Sequence, residues 1–128
     1  MKKTKKIGYC AVTADILHYG HLIFLNRCKY HCKYLIVGVM TDACVKEYKG
    51  KRPLFSQLHR QIIVGNLKMV DKVIYQNNFE FDLKLLKRLG VNIIFDSEKH
   101  KRKGANCLFP YTASISSSQI KCRITSDK

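Results

Sequence analysis

Apolar and polar positions alternate in blocks along the chain. Residues 7–12 ("IGYCAV") form a short, mostly apolar run, and 34–40 ("YLIVGVM") is nearly all apolar and rich in β-branched residues. Between them lies an apolar-periodic segment from about 21 to 31. Strand, helix, strand in about 35 residues is the length of a right-handed crossover unit. The alternation then continues. "TDACVKEYK" offers Thr41 and Asp42 as N-caps of a short helix, and 56–70 ("SQLHRQIIVGNLKMV") offers Ser56 as a cap, with Leu58, Ile62 and Met69 on one apolar side. Residues 72–76 ("KVIYQ") read as a strand, "FEFDLKLLKRLG" as a helix closed by Gly90, and 91–95 ("VNIIF") as another strand.

Nearly continuous apolar strands separated by helices imply a parallel sheet covered on both faces, a three-layer α/β, Rossmann-like domain. Residues 96–106 ("DSEKHKRKGAN") read as a polar, basic loop. The apolar piece "CLF" then leads to Pro110, and "SISSSQIKCRI" offers a serine cap and a short helix. With 128 residues, no internal repeat and no long linker, one domain over 1–128 is expected.

Composition adds charge. Lys and Arg number 24 against 9 Asp and Glu, a net +15, which attracts polyanions without choosing among nucleic acid, acidic membrane and nucleotide. The cations are spread along the chain and no nucleic-acid recognition motif accompanies them. No apolar run reaches the length of a membrane span, and "MKKTKK" reads as a basic lead-in to the first strand. Cys10, Cys28, Cys32, Cys44, Cys107 and Cys122 lack the paired spacing of a zinc site. Cys28 and Cys32 are four apart on an apolar helix face, so reduced, buried thiols in a cytoplasmic protein are expected.

The chemistry concentrates at "TADILHYGHLIFLNRC", where His18 and His21 bracket Gly20 just after the first strand. In open parallel sheets, ligands bind outside the carboxyl ends of the strands where the strand order reverses. A helix N-terminus there presents unpaired N–H groups and a partial positive charge to a phosphate. Gly20 has no side chain to hold the phosphate away, and two imidazoles one turn apart can donate to phosphoryl oxygens as charge develops. A lone histidine in such a place is more often a helix cap or surface residue, a pair bracketing glycine at a β-to-α junction stands evenly between that and catalysis, and no further Cys or His supplies a zinc set at recognisable spacing.

"VTADILHYGH" resembles the H-x-G-H signature of the nucleotidyltransferase α/β-phosphodiesterase superfamily, in the small cytidylyltransferase branch with G-T-F-D-x-x-H-x-G-H. "PYTASISSSQI" is similar to that branch's second signature, R-T-x-G-I-S-T-T, and especially to the P-Y-T-x-G-I-S-S-T form of cytidylyltransferases associated with phosphonate pathways. "TD" at 41, "EYKGKRP" at 47–53, "HR" at 59 and "VDKV" at 70 follow in the branch's order. The resemblance implies transfer of CMP from CTP, or less readily AMP from ATP, to a small phosphorylated alcohol or phosphonate, with release of diphosphate. It implies His18, His21 and Lys49 as catalytic residues. It implies Thr13, Ala14, Asp15, Gly20, Arg60, Thr112, Ile115, Ser116 and Ser117 as nucleotide-binding residues. It also implies Mg2+ held mainly by the triphosphate, and a homodimer.

The chain departs from the pattern at several positions. Val12 and Ser114 stand in place of glycines, Ala14 in place of an aromatic residue and Tyr111 in place of an arginine, and no G-D-D-W segment follows the fourth predicted strand. A branched side chain at Val12 crowds a backbone approach that glycine permits. The base pocket must therefore be built differently. Two readings of the whole stand side by side: an active nucleotidyltransferase, and a non-catalytic relative that binds a polyanion or a protein partner through its basic surface.

Overall fold

A computed structural model describes residues 6–110. In chain order the elements are β1 (Ile7–Val12), α1 (Tyr19–Tyr30), β2 (Tyr34–Met40), α2 (Asp42–Lys49), α3 (Gln57–Gly65), β3 (Lys72–Gln76), α4 (Leu83–Arg88), β4 (Ile93–Ser97) and β5 (Cys107–Phe109). The sheet order is β3-β2-β1-β4-β5, with every neighbouring pair parallel. In register, Val12 lies opposite Val39, Gly38 opposite Ile74, and Phe95 opposite Cys107.

The two-residue alternation along β1 sorts its side chains onto two faces. Cys10 and Val12 join Leu25 and Cys28 of α1 and Val64 of α3 in one buried cluster. Tyr9 and Ala11 join Cys44 and Val45 of α2 and Leu86 of α4 in the other. This is the expected three-layer α/β arrangement. Cys10, Cys28, Cys32 and Cys44 are buried free thiols, and Cys107 is a half-buried one. Burial pushes the Cys28, Cys32 and Cys44 thiols up, as it does for any group whose charged form is desolvated. Cys32 lies two residues beyond the end of α1, with Sγ donating to the Cys28 carbonyl at 3.3 Å.

Four expected boundaries shift, each for a local reason. The helix expected to begin near Phe79 begins at Leu83, because Asp82 is its cap and accepts from Leu85 N at 3.1 Å. It closes on Gly90 at φ +80°, with Val91 N donating to Leu86 O and Gly90 N to Lys87 O, the paired bonds of a Schellman ending. That ending and the Asn92 side chain, which accepts from Ile7 N, delay β4 to 93–97, so Asp96 and Ser97 belong to a strand and not to a loop. "CLF" pairs with β4 as a fifth parallel strand.

The fourth shift concerns α3, which stops at Gly65 and faces the other way from the side its apolar residues suggest. Leu58 and Ile62 are 59% and 55% exposed, while Arg60 and Val64 are buried and Met69 packs from the following turns. Arg60 is 0% exposed. Its Nη1 donates to Thr13 O at 2.9 Å and Met40 O at 2.7 Å, its Nε to Phe55 O at 3.0 Å, and its Nη2 to Asp42 Oδ1 at 2.7 Å. Four of the five guanidinium N–H groups are thus satisfied by protein, which is what burial of a charge requires.

Removing one partner of such a pair leaves the other groups buried and unsatisfied. Arg60→Leu is therefore expected to cost about 3–5 kcal/mol of unfolding free energy. Urea denaturation measures it, and a loss under 1 kcal/mol would show that the network is dispensable.

Candidate active site

The strand order reverses at β1 and β4, and a cleft of about 380 Å³ opens at their carboxyl ends. One wall is the end of β1 with the following loop (Thr13, Ala14) and the N-terminal turns of α1 (His18, Gly20, His21). The opposite wall is Asp96 and Ser97 of β4 with Lys99, His100 and Arg102 beyond it, and α2 contributes Tyr48 and Lys49.

The histidine pair is built into the helix start. His18 is the N-cap of α1 and His21 is its third residue, and the two form a reciprocal capping box. His18 Nδ1 accepts from Gly20 N at 3.1 Å, and His21 Nδ1 accepts from His18 N at 3.1 Å. With both Nδ1 atoms used as acceptors, each neutral ring carries its proton on Nε2 and keeps that N–H as a donor. The ring centroids are 4.1 Å apart at 48°. Burial, then the neighbouring His18 and Lys49, lowers the His21 pKa to about 4, and burial lowers that of His18. At neutral pH the pair is therefore two uncharged donors at the positive end of a helix.

The loop between β1 and α1 is held from behind. Ala14 sits at φ +53°, a conformation that costs a side-chain-bearing residue on the order of 1 kcal/mol or more. Asp15 is buried, and its two oxygens accept from Leu54 N and Phe55 N, each at 2.8 Å. Thr13 Oγ1 and the Tyr48 hydroxyl share a hydrogen bond of 2.9 Å, tying the end of β1 to α2. Val12 packs into the core cluster shared with α1, so its branched side chain is accommodated there.

Of the expected residues, His18, His21, Lys49, Thr13, Ala14 and Gly20 meet at the cleft. Asp15 and Arg60 do not line it. Arg60, expected to contact a nucleotide, has its guanidinium under the loop, with four of its five N–H groups bound to backbone carbonyls and Asp42. Thr112, Ile115, Ser116 and Ser117, with the departures at Tyr111 and Ser114 and the expected final helix, lie outside the described residues.

The wall formed by Asp96 and Arg102 was not anticipated. Asp96 accepts from Arg102 Nε and Nη2, each at 3.0 Å, from Arg102 N at 2.9 Å and from Ser97 N at 2.8 Å, which uses all four lone-pair directions of its carboxylate. Arg102, 5% exposed, lies 4.5 Å and 4.9 Å from the Phe79 and Phe81 ring centroids. His100 stands beside the pair, its pKa lowered first by burial and then by Arg102. The only sequence signal was that the polar run from Asp96 follows directly on an apolar strand.

Fold and site together define a parallel α/β protein with a histidine-lined cleft at its topological switch point. The chain belongs to the cytidylyltransferase-like family, whose model matches residues 9–103. It is 33% identical to a glycerol-3-phosphate cytidylyltransferase of Bacillus spizizenii, over 94% of this chain and 95% of that one. It is 39% identical to an FAD synthase of Thermococcus sibiricus, over 73% of this chain and 64% of that one. It is 36% identical to the bifunctional protein HldE of Helicobacter pylori, over 77% of this chain but only 21% of that protein. The lipopolysaccharide core biosynthesis protein of Thermoplasma volcanium shares the fold, with a TM-score of 0.65 and 22% identity over 94% of this chain and 87% of that one. No helix among the described residues is long and apolar enough to cross a membrane.

A histidine whose folded pKa is depressed stays neutral while the unfolded chain takes up its proton. The His21 contribution to stability is therefore complete above about pH 6.5 and declines as pH falls from there toward about 4. An NMR titration of the imidazole resonances should place the His21 midpoint near 4; a midpoint at 6 or above would contradict the buried, like-charged surroundings described here.

Proposed function

We propose that the chain is a nucleotidyltransferase that transfers CMP from CTP to a small phosphorylated alcohol or phosphonate. The observation that carries this reading is the His18–His21 capping box, which leaves two neutral Nε2–H donors at a helix N-terminus lining the switch-point cleft. The likeness to a glycerol-3-phosphate cytidylyltransferase along nearly the whole of both chains supports it. An oxygen of the acceptor phosphate or phosphonate attacks the α-phosphorus of the nucleotide in line. The bond from that phosphorus to the oxygen bridging the β-phosphate breaks, its electron pair leaves with that oxygen, and diphosphate departs. The two imidazoles and Lys49 stabilise the charge that grows on the α-phosphoryl oxygens, and because they are fixed beforehand they need no reorganisation.

The nucleotide enters as its Mg2+ complex. Among the described residues no three His, Cys, Asp or Glu side chains group to hold a cation, and the one carboxylate at the cleft has its oxygens occupied by Arg102 and Ser97. In this reading the ion is carried by the triphosphate, as Mg2+ often is. The homodimer implied by the resemblance belongs to the same proposal, and sedimentation of the intact chain tests it.

Diphosphate release with each of the four nucleoside triphosphates, measured beside melting temperature, tests the reading directly. CTP with Mg2+ should raise the melting temperature, since a ligand bound only by the native state stabilises it by mass action. His21→Ala should lower turnover by roughly a hundredfold to a thousandfold, as loss of one oxyanion-type donor does. His18→Ala also removes a helix cap and should cost about 1 kcal/mol of stability, whereas His18→Asn keeps an acceptor for Gly20 N and isolates the catalytic loss. Stabilisation by ATP alone would reassign the base, and full turnover in His18→Asn would remove that ring from the mechanism.

A further inference from the structure

The outer side of α3 is apolar and exposed to solvent. Leu58 and Ile62, one turn apart on it, are more than half exposed, and Leu54, in the segment that leads into the helix, is 65% exposed. With Val70 and Val73, Leu58 and Ile62 line a groove of about 340 Å³ between α3 and β3, to which Gly65 adds no side chain. β3 is an edge strand, and its Tyr75 hydroxyl donates to Gln61 Oε1 of α3 at 2.6 Å. Helix and strand therefore form one surface, with apolar knobs beside an apolar hollow. A contiguous apolar patch of this kind marks a protein contact.

Charge selects the occupant. A chain with net +15 repels its own copies and draws acidic partners to its cationic faces. Among the described residues, α1, α2 and α4 each expose Lys or Arg, whereas the one charged residue of α3 is the buried Arg60. An acidic protein is drawn elsewhere; a second copy of this chain meets least repulsion here. The shape suits such a pairing too, because a two-fold contact buries the same patch on both partners and needs knob and hollow on one face.

The inner side of the same segment is tied to the cleft. Leu54 N and Phe55 N donate to Asp15, and Arg60 holds the carbonyls of Phe55, Thr13 and Met40. Between these anchors Ala14 keeps φ +53°, a conformation that persists only where the surroundings enforce it. Whatever fixes residues 54–62 from outside thus steadies the loop that leads to His18.

We infer that a second copy of this chain docks by two-fold symmetry on the α3–β3 face, and that this contact, through Asp15 and Arg60, holds the β1–α1 loop in its working shape. The homodimer proposed above is thereby placed on a particular face, and the cleft is made to depend on it. The effect on turnover rests on the nucleotidyl transfer proposed above; docking and loop order do not.

Sedimentation of the full chain, beside a variant carrying Leu58→Lys and Ile62→Lys, tests the docking. The parent should be dimeric at micromolar concentration, with a melting temperature that rises with protein concentration, as mass action requires when unfolding separates subunits. The variant changes only exposed positions, so it should keep the parent's far-ultraviolet circular dichroism, sediment as a monomer and melt independently of concentration. In the monomer the His21 midpoint should rise from near 4 toward about 6.5 as the loop loosens. Diphosphate release per chain should fall by roughly tenfold to a hundredfold, as it does when catalytic groups are misplaced. Dilution of the parent gives the same readings without any substitution. A parent that is monomeric throughout, as when residues 111–128 cover the face, or a variant that stays dimeric, would overturn the docking. A monomer that keeps the His21 midpoint of the dimer would overturn the hold on the loop. If no nucleotide supports diphosphate release, the transferase reading falls, while sedimentation and the imidazole titration still decide this inference.

Discussion

The geometry of the cleft depends on a single buried guanidinium. Arg60 reaches from α3 beneath the sheet's carboxyl edge and holds the carbonyls of Thr13, just after β1, and Met40, the last residue of β2, together with that of Phe55 and the Asp42 carboxylate. Asp15 answers from the other side, taking the N–H groups of Leu54 and Phe55. A positive group on α3 and a negative one after β1 thus bind the same short segment through its backbone N–H and C=O groups. The cleft-lining His18 and His21 stay neutral because burial lowers their pKa values, while the charged Arg60 and Asp15 act behind the loop.

Strands and helix order were legible because their signals are local. "IGYCAV", "YLIVGVM" and "KVIYQ" stand between capping residues whose side chains act as their types suggest: Thr41 accepts from Cys44 N, and Ser56 from His59 N. The histidine pair was legible for the same reason, since a three-residue spacing at a helix start allows both rings to bond the local backbone. The reading failed at α3, where apolar periodicity pointed to Leu58 and Ile62. A buried arginine with four protein acceptors outweighed their burial, and periodicity counts an arginine as solvent-facing.

The far wall was hidden for a different reason. Asp96 and Arg102 belong to a run that reads as a solvated loop, and only the extension of β4 to Ser97 brings the carboxylate under the sheet edge, where it needs a partner. Six residues on, Arg102 supplies it through both side chain and backbone. That closure depends on how the chain turns between 97 and 102, a tertiary outcome that composition does not encode. The family relationship likewise does not say that Arg60 ties the loop to two strand ends or that the Asp96 carboxylate is neutralised by Arg102.

The left-handed conformation of Ala14 bears on portability. An alanine at φ +53° is held there by what surrounds it: the Arg60 bond to the preceding carbonyl, the Asp15 anchors and the helix that begins at Tyr19. Cut out as a short peptide, residues 12–22 would lose all three and relax to an ordinary extended or helical backbone, and the two rings would part. The loop is thus not a self-contained module that can be grafted between scaffolds by copying its letters; a transplant must carry a basic strut rising from α3, with three elements between them in the chain.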